Sequence, residues 1–167
     1  MRGITSLIVV SLIAGCGPTA SAGPSPSPIG APCPLTTPPP IAMTPPPTAG
    51  AGPNAGLQFR ADAGSFLYGN DALFALLPRD GTLHPDDRGL PAGSVKFPWY
   101  RIAHGDLSIA TRRLDDSATP LPADVSGGYG DTGFLASGLR FPSAGCWQVS
   151  GTVDGKTLTF VVNVAAR

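Results

Sequence analysis

The fold of this chain is indicated most clearly by residues 146–164, which read CWQVSGTVDGKTLTFVVNV. Two runs with alternating hydrophobic residues, Cys146–Val153 and Lys156–Val164, are separated only by Asp154 and Gly155. Asp-Gly between such runs is typical of a β-hairpin with a two-residue type I′ turn, because both central positions of that turn need a positive φ. The sequence therefore predicts an antiparallel pair of strands near the C-terminus.

A two-residue turn also fixes the register of this hairpin. One face of the hairpin is largely apolar. The other face carries Ser, Thr, Gln and Asn side chains, which suits contact with water. Gly151 lacks a side chain, so a large neighbour can pack over the strand at that point. The pairs predicted on the apolar face are Val153 with Lys156, Gly151 with Leu158, Val149 with Phe160, and Trp147 with Val162.

Short strand-like runs separated by turn residues continue upstream of the hairpin. The candidates are Leu57–Ala61, Ser65–Tyr68, Ala72–Leu77, Ser94–Ile102, Asp106–Leu114, Leu121–Val125 and Gly133–Phe141. No window has a sustained helical period, although Ala72–Leu77 is also compatible with a single helical turn. Many short strands at intervals of about ten residues favour a β-sandwich or barrel. We therefore expect one all-β domain over residues 55–167.

The approach to the hairpin resembles the penultimate strand of immunoglobulin-like domains. Residues 141–149 read FPSAGCWQV. In that family a Pro-x-x-Gly corner precedes an aromatic core strand, and a final strand returns antiparallel to it. The resemblance implies a single immunoglobulin-like β-sandwich.

The first residues have the composition of an export signal. Arg2 is followed by an uncharged apolar run, Ile4–Ile13, which is shorter than the roughly 20 residues that a membrane-spanning helix needs. The sequence Leu-Ile-Ala-Gly-Cys at residues 12–16 resembles the lipobox of bacterial lipoproteins. That resemblance implies removal of residues 1–15, lipidation of Cys16 and an outward-facing anchor on the bacterial cell membrane. An ordinary signal peptide, cleaved a little further along, is the alternative.

Residues 16–54 are rich in proline and carry no charge. They hold 13 of the 20 prolines, and the triplets at 38–40 and 45–47 favour the extended polyproline II conformation. Such a segment buries too little apolar surface to offset the entropy of ordering. We expect a disordered tether that reaches roughly 120 Å at about 3.1 Å per residue. A proline-rich ligand for a partner domain is the alternative.

If Cys16 is lipidated, Cys33 and Cys146 are left, and two cysteines in an exported protein tend to pair. Their disulfide would join the tether to the sandwich and leave residues 17–32 as its free part, roughly 50 Å when extended. Closing so long a loop contributes about 4–5 kcal/mol of stability in chain-entropy models. The alternative is a free thiol at Cys33 and a buried, unpaired Cys146.

Residues 68–164, together with the Cys-Pro-Leu-Thr of residues 33–36, resemble a family of uncharacterised bacterial secreted proteins and lipoproteins. Tyr100 and Gln148 stand where members usually have Trp or an acidic residue. The family implies no activity, but its Cys-Pro start and Gly-Cys-Trp strand support the disulfide. The motifs that carry the resemblance are YGN at 68–70, KFPWYR at 96–101, DLSI at 106–109, RRLD at 112–115, GYGDTGF at 128–134 and GCWQV at 145–149.

Composition argues against several functional classes. Eleven basic residues balance eleven acidic ones, and every acidic residue is Asp. Nucleic-acid-binding domains carry an excess of positive charge, so a net charge of zero argues against that class. Two His and three Cys offer little material for a metal site, so no metal or cofactor is expected. His84 and His104 are predicted to be surface loop residues, and the Asp pairs at 86–87 and 115–116 to be solvated loop charges.

The candidate binding surface is Trp99, Tyr100 and Arg101. Neighbouring residues in a strand point to opposite faces, so one aromatic ring would face solvent and, with the arginine, offer a platform to a sugar or peptide. The alternative is that the aromatic rings cover the edge of the core. The sequence thus favours a non-enzymatic, membrane-anchored domain that binds wall glycan or another envelope protein. A purely structural envelope lipoprotein and, with less support, an envelope hydrolase are the alternatives.

Overall fold

The computed structural model describes residues 32–44, 59–86 and 91–166, and within these ranges the chain forms strands and loops without any helix. The all-β prediction is confirmed. The nine strands of the described ranges are β1 (Ser65–Gly69), β2 (Leu73–Pro78), β3 (Thr82–Leu83), β4 (Ser94–Arg101), β5 (Ser108–Arg113), β6 (Asp124–Val125), β7 (Gly133–Arg140), β8 (Gly145–Val153) and β9 (Lys156–Val164).

The strands form two sheets that share one core. The first has the order β1-β2-β4-β7-β6 and the second the order β3-β9-β8-β5. In the first sheet, β2-β4-β7-β6 correspond to strands A-B-E-D of an immunoglobulin-like domain, and β1 is an extra strand. In the second sheet, β5-β8-β9 correspond to strands C-F-G. Strand β3 pairs in parallel with the last strand, β9. The expected immunoglobulin-like β-sandwich is therefore present.

The chain crosses between the sheets at residues 79–81, between β2 and β3. Gly81 has a φ of 69°, which a glycine adopts without strain, and its carbonyl accepts a hydrogen bond from N of Asn163 at 2.8 Å. The Asp80 carboxylate accepts a hydrogen bond from N of Thr82 at 2.9 Å. Strand β3 was not predicted, because two residues are too few to show an alternating pattern.

The C-terminal hairpin has the predicted register. All four predicted pairs are observed, from Val153 opposite Lys156 to Trp147 opposite Val162. The two turn residues have φ values of 50° and 70°, both positive as a type I′ turn requires. Because the register holds, the predicted apolar face of the hairpin is the face that enters the core.

The core is built from large side chains of both sheets. Trp99 of β4 packs over Gly151 of β8, since a Cβ added to this glycine would lie 2.9 Å from Cζ3 of the indole. The space predicted above Gly151 is thus filled from the facing sheet. The fully buried aromatic residues include Phe97, Trp99, Phe141, Trp147 and Phe160.

A second, smaller apolar cluster lies on the outer face of the five-stranded sheet. The Phe59 ring stacks on that of Tyr100 at a centroid distance of 5.6 Å. Leu67 and Phe74 complete the cluster, and Met43 packs against it. Residues that precede β1 therefore cover a face that in an antiparallel sandwich is usually in contact with water.

Residues 33–36 are attached to the sandwich by a covalent bond and by hydrogen bonds. The predicted disulfide is confirmed: Cys33 and Cys146 are bonded, with Cα atoms 5.5 Å apart and a sequence separation of 113. Thr36 N donates to the carbonyl of Val161 at 3.0 Å, and its hydroxyl accepts from N of Val161 at 2.8 Å. Residues 33–36, which were expected to lie in the tether, are thus bonded to strands β8 and β9.

Two local features of the structure differ from those that the sequence suggested. Residues 59–61 of the candidate strand 57–61 are not in a strand, because Phe59 packs on a sheet face instead of joining a ladder. Strand β2 pairs with both β1 and β4, so the alternative of a helical turn there was wrong.

Candidate functional site

Trp99, Tyr100 and Arg101, the predicted binding surface, are buried, with exposed fractions of 0%, 7% and 1%. The expectation that one aromatic ring faces solvent is wrong. Alternation along β4 does hold, since Trp99 points into the main core and Tyr100 to the outer face. The outer face is covered by Phe59, however, and a cover supplied from outside the strands could not be inferred from alternation alone.

Trp99 has a structural role that also satisfies its polar group. Its Nε1 donates to Oγ of Ser137 at 3.0 Å, and that hydroxyl donates to the carbonyl of Phe97 at 3.4 Å. A buried indole N–H normally needs such a partner. The bonds join β4 to β7 inside the core and leave no group of Trp99 for a ligand.

Arg101 holds two loops together at one end of the sandwich. Its Nη1 donates to the carbonyl of Gly105 at 2.7 Å, and its Nη2 donates to the carbonyl of Gly130 at 2.6 Å. Burial lowers the pKa of Arg101, and the nearby carboxylates of Asp131 and Asp106 oppose that shift. An arginine stays protonated in proteins, so this guanidinium acts as a fixed cationic clamp on loop carbonyls.

The end of the sandwich formed by residues 102–107, 126–132 and 154–155, here called the loop end, carries an exposed His–Asp pair. Nδ1 of His104 lies 2.8 Å from Oδ2 of Asp131. The hydrogen bond from His104 lowers the pKa of Asp131. Within the described ranges, no hydrogen bond joins His104 to a serine, threonine or cysteine side chain. Both histidines of the chain are exposed loop residues, as predicted.

The start of β8, at the opposite end, is secured by an ion pair that sequence reasoning missed. Nε of Arg113 donates to Oδ1 of Asp115 at 2.7 Å, and Oδ2 of Asp115 accepts from N of Cys146 at 3.0 Å. The hydrogen bond from Arg113 lowers the pKa of Asp115. Asp115 was expected to be a solvated loop charge, yet its side chain is only 34% exposed, and both of its carboxylate oxygens accept hydrogen bonds. Its backbone partner is distant in sequence, so no local motif indicated it.

A pocket of about 240 Å³ lies on the outer face of the five-stranded sheet, towards this same end. Ser94 and Arg140 are directly opposite each other in the β4–β7 ladder, so their side chains are neighbours. Oγ of Ser94 and Nε of Arg140 are buried and have no hydrogen-bond partner in the described part of the chain. The pocket is lined by Pro91, Ser94, Pro122, Ala123, Asp124, Gly138 and Arg140.

This pocket was not predicted from the sequence. Ser94 and Arg140 are far apart in the chain, and only the register of β4 against β7 brings them together. The one available signal was alternation: the apolar residues Val95, Phe97 and Trp99 share one face of the strand, which places Ser94 and Lys96 on the other face.

The described ranges contain no group of three or more His, Cys or Asp side chains placed to hold a metal ion. They also contain no helix that is long and apolar enough to cross a membrane. Cys16, the predicted lipidation site, lies outside the described residues, as do the predicted export signal and most of the tether. No family model matches the chain, and comparison with curated proteins and with solved structures gives no match.

Proposed function

We propose that this chain is an exported bacterial lipoprotein, anchored through Cys16 on the outer side of the cell membrane, whose sandwich acts by binding and not by catalysis. Its partner is a cell-wall glycan or another envelope protein. The Cys33–Cys146 disulfide is the observation that carries the proposal.

The disulfide supports export because such bonds persist in oxidising compartments and are rare in the cytosol. The lipobox-like sequence that ends at Cys16 supports the same location independently, from residues that take no part in the bridge. Two acyl chains on one glyceride suffice for stable anchoring, whereas one chain alone would be marginal.

The position of the disulfide also supports a binding role for the loop end. The bridge attaches the N-terminal segment to Cys146, at the start of β8, whereas the turn at Asp154 lies at the far end of that strand. At about 3.3 Å per residue the two points are roughly 26 Å apart. The loop end therefore lies at the end of the sandwich opposite Cys33, and Arg101 fixes two of its loops in position.

The anchor is tested by metabolic labelling with an alkyne-bearing palmitate and by mass spectrometry of the mature N-terminus. We expect label on the wild-type protein in the membrane fraction, an N-terminus at Cys16, and no label on C16A. The matched control C33A also removes one cysteine but leaves the lipobox intact, so it should still be labelled. An unlabelled, soluble protein whose N-terminus follows Ala20 or Ala22 would contradict the anchor.

Binding is tested by thermal melts of the full chain in detergent against wall fragments and glycans. A ligand at about 100 times its Kd adds roughly 2.7 kcal/mol, which raises Tm by several degrees for a domain of this size. A flat panel, followed by crosslinks to a protein in the intact envelope, would identify the partner as a protein. Turnover of model esters that is lost in H104A would contradict the non-enzymatic role.

A further inference from the structure

The pocket on the outer face holds two polar groups that the described chain leaves unsatisfied. Ser94 is 1% exposed, and its Oγ lacks a hydrogen-bond partner. Nε of Arg140 is also buried without a partner, and within the described ranges no carboxylate forms an ion pair with this guanidinium. Buried polar groups in folded proteins are nearly always hydrogen-bonded. Two such groups, adjacent in one ladder and lining one pocket, indicate a ligand that bonds to both.

The charges around the pocket favour an anion. Arg140 offers a planar fork of N–H donors that matches a carboxylate, and the hydroxyl of Ser94 can donate beside it. Lys96 lies two residues further along β4, opposite Gly138 of the pocket lining, and adds a second positive charge on this face. Together these residues provide two donors and two positive charges.

One lining residue restricts the charge of the anion. Asp124 lies opposite Gly138 from the other side, and its side chain is exposed at the rim of the pocket. Its carboxylate offsets one of the two positive charges of Arg140 and Lys96, so a single negative charge on the ligand neutralises the group, whereas a dianion would leave an excess negative charge. A monoanion therefore fits this pocket better than a dianion.

We propose that the pocket binds a monoanionic carboxylate group, held by Nε–H of Arg140 and by the hydroxyl of Ser94. Its volume of about 240 Å³ is smaller than the roughly 300–1,000 Å³ of sites that enclose a whole small molecule, so it takes a carboxylate with a short stem. The pocket is a site separate from the loop end, at the other end of the sandwich, and only its relevance to the envelope rests on the binding role proposed above.

The experiment uses the full chain, ¹⁵N-labelled, in non-ionic detergent micelles. NMR follows the Nε–H signal of Arg140 and the amide signal of Ser94 while acetate, acetamide or inorganic phosphate is added. Acetamide matches acetate in shape but has no charge, and phosphate tests the preference for a monoanion. The variants are S94A, R140Q and the control R79Q, which removes the same charge from an exposed arginine outside the pocket.

We expect acetate to give a saturable shift of both signals and acetamide to give none. S94A should weaken acetate binding by roughly fivefold or more, R140Q should abolish it, and R79Q should leave it unchanged. If R140Q does not fold, S94A alone decides, because it removes only one hydroxyl.

The proposal is overturned by the absence of a saturable shift, by an equal response to acetamide, by tighter binding of phosphate than of acetate, or by an R79Q effect as large as that of S94A. None of these outcomes depends on the lipid anchor. A chain that is secreted without lipid but binds acetate in the pocket would contradict the anchor and leave the pocket assignment standing.

Discussion

The indole of Trp99, on one sheet, occupies the space that the missing side chain of Gly151 leaves on the other. A Cβ at Gly151 would lie 2.9 Å from Cζ3 of Trp99 and 2.9 Å from Cδ2 of Leu73. Both neighbours are completely buried, so neither can move aside without displacing others. The approach of the two sheets at this point is therefore set by a glycine.

We predict that G151A lowers the free energy of unfolding by about 1–3 kcal/mol, because the added methyl group overpacks this contact. Urea denaturation measures the change. The matched control is G127A, since a Cβ at Gly127 meets nothing within 4 Å, and its effect should stay within about 0.5 kcal/mol. Equal stabilities of the two variants would contradict the close contact.

We predict that loss of the Cys33–Cys146 disulfide lowers the free energy of unfolding by up to about 4–5 kcal/mol. The bond joins residues separated by 113 positions, and closing so long a loop restricts the unfolded chain strongly. Thermal melts of the wild type with and without reductant, and of C33A/C146A, measure the loss. A reductant effect that persists in the double variant would show that another reaction is responsible.

Replacing Arg101 should destabilise the domain and loosen its loop end. R101M keeps an apolar stem of similar length but removes the donors to the carbonyls of Gly105 and Gly130, at a cost of about 2–3 kcal/mol. Hydrogen exchange should become faster in residues 102–107 and 126–132. R112M, at a partly exposed position in edge strand β5, is the control and should leave exchange in these loops unchanged; an identical exchange pattern in R101M would refute the clamp.

The Asp115–Arg113 pair predicts a defined response to acid. The pKa of Asp115 is lowered from 3.8 in the folded protein, so its stabilising effect is present above about pH 4 and is lost as the pH falls through the folded value. D115N should therefore be less stable than the wild type at pH 6, and the difference should vanish below the folded pKa. Urea denaturation midpoints, measured at intervals of about half a pH unit between pH 2 and 7, would resolve this trend.

The control at pH 6 is D154N, at an exposed turn position where asparagine also accepts a positive φ. Its stability at that pH should stay within about 0.5 kcal/mol of the wild type. A difference between D115N and the wild type that stays constant over the whole titration would mean that the charge of Asp115 contributes nothing.

The elements that could be predicted from the sequence are those whose determinants are local. Asp154 and Gly155 specify their turn directly, and alternation in the flanking runs then decides which face is buried. The Cys33–Cys146 bridge was also predictable, because the choice of partners was small once Cys16 was assigned to lipid.

The candidate site was harder to predict because its determinants are not local. The burial of Tyr100 depends on Phe59, which approaches from outside the strands, and alternation cannot reveal a cover of that kind. The Ser94–Arg140 pair depends on a ladder between strands that are far apart in the chain. Both features depend on contacts between residues that are far apart in the chain, and these contacts form only when the sandwich is assembled.

The disulfide also determines how a mechanical load crosses the domain. Tension applied to the chain ahead of Cys33 passes through the sulfur–sulfur bond into Cys146 and from there into the β8–β9 hairpin. The backbone between the two cysteines, which includes β1–β7, lies outside this route. In the proposed arrangement, with the chain anchored at Cys16 and the loop end bound to its partner, such tension would run along the β8–β9 hairpin from Cys146 to the loop end.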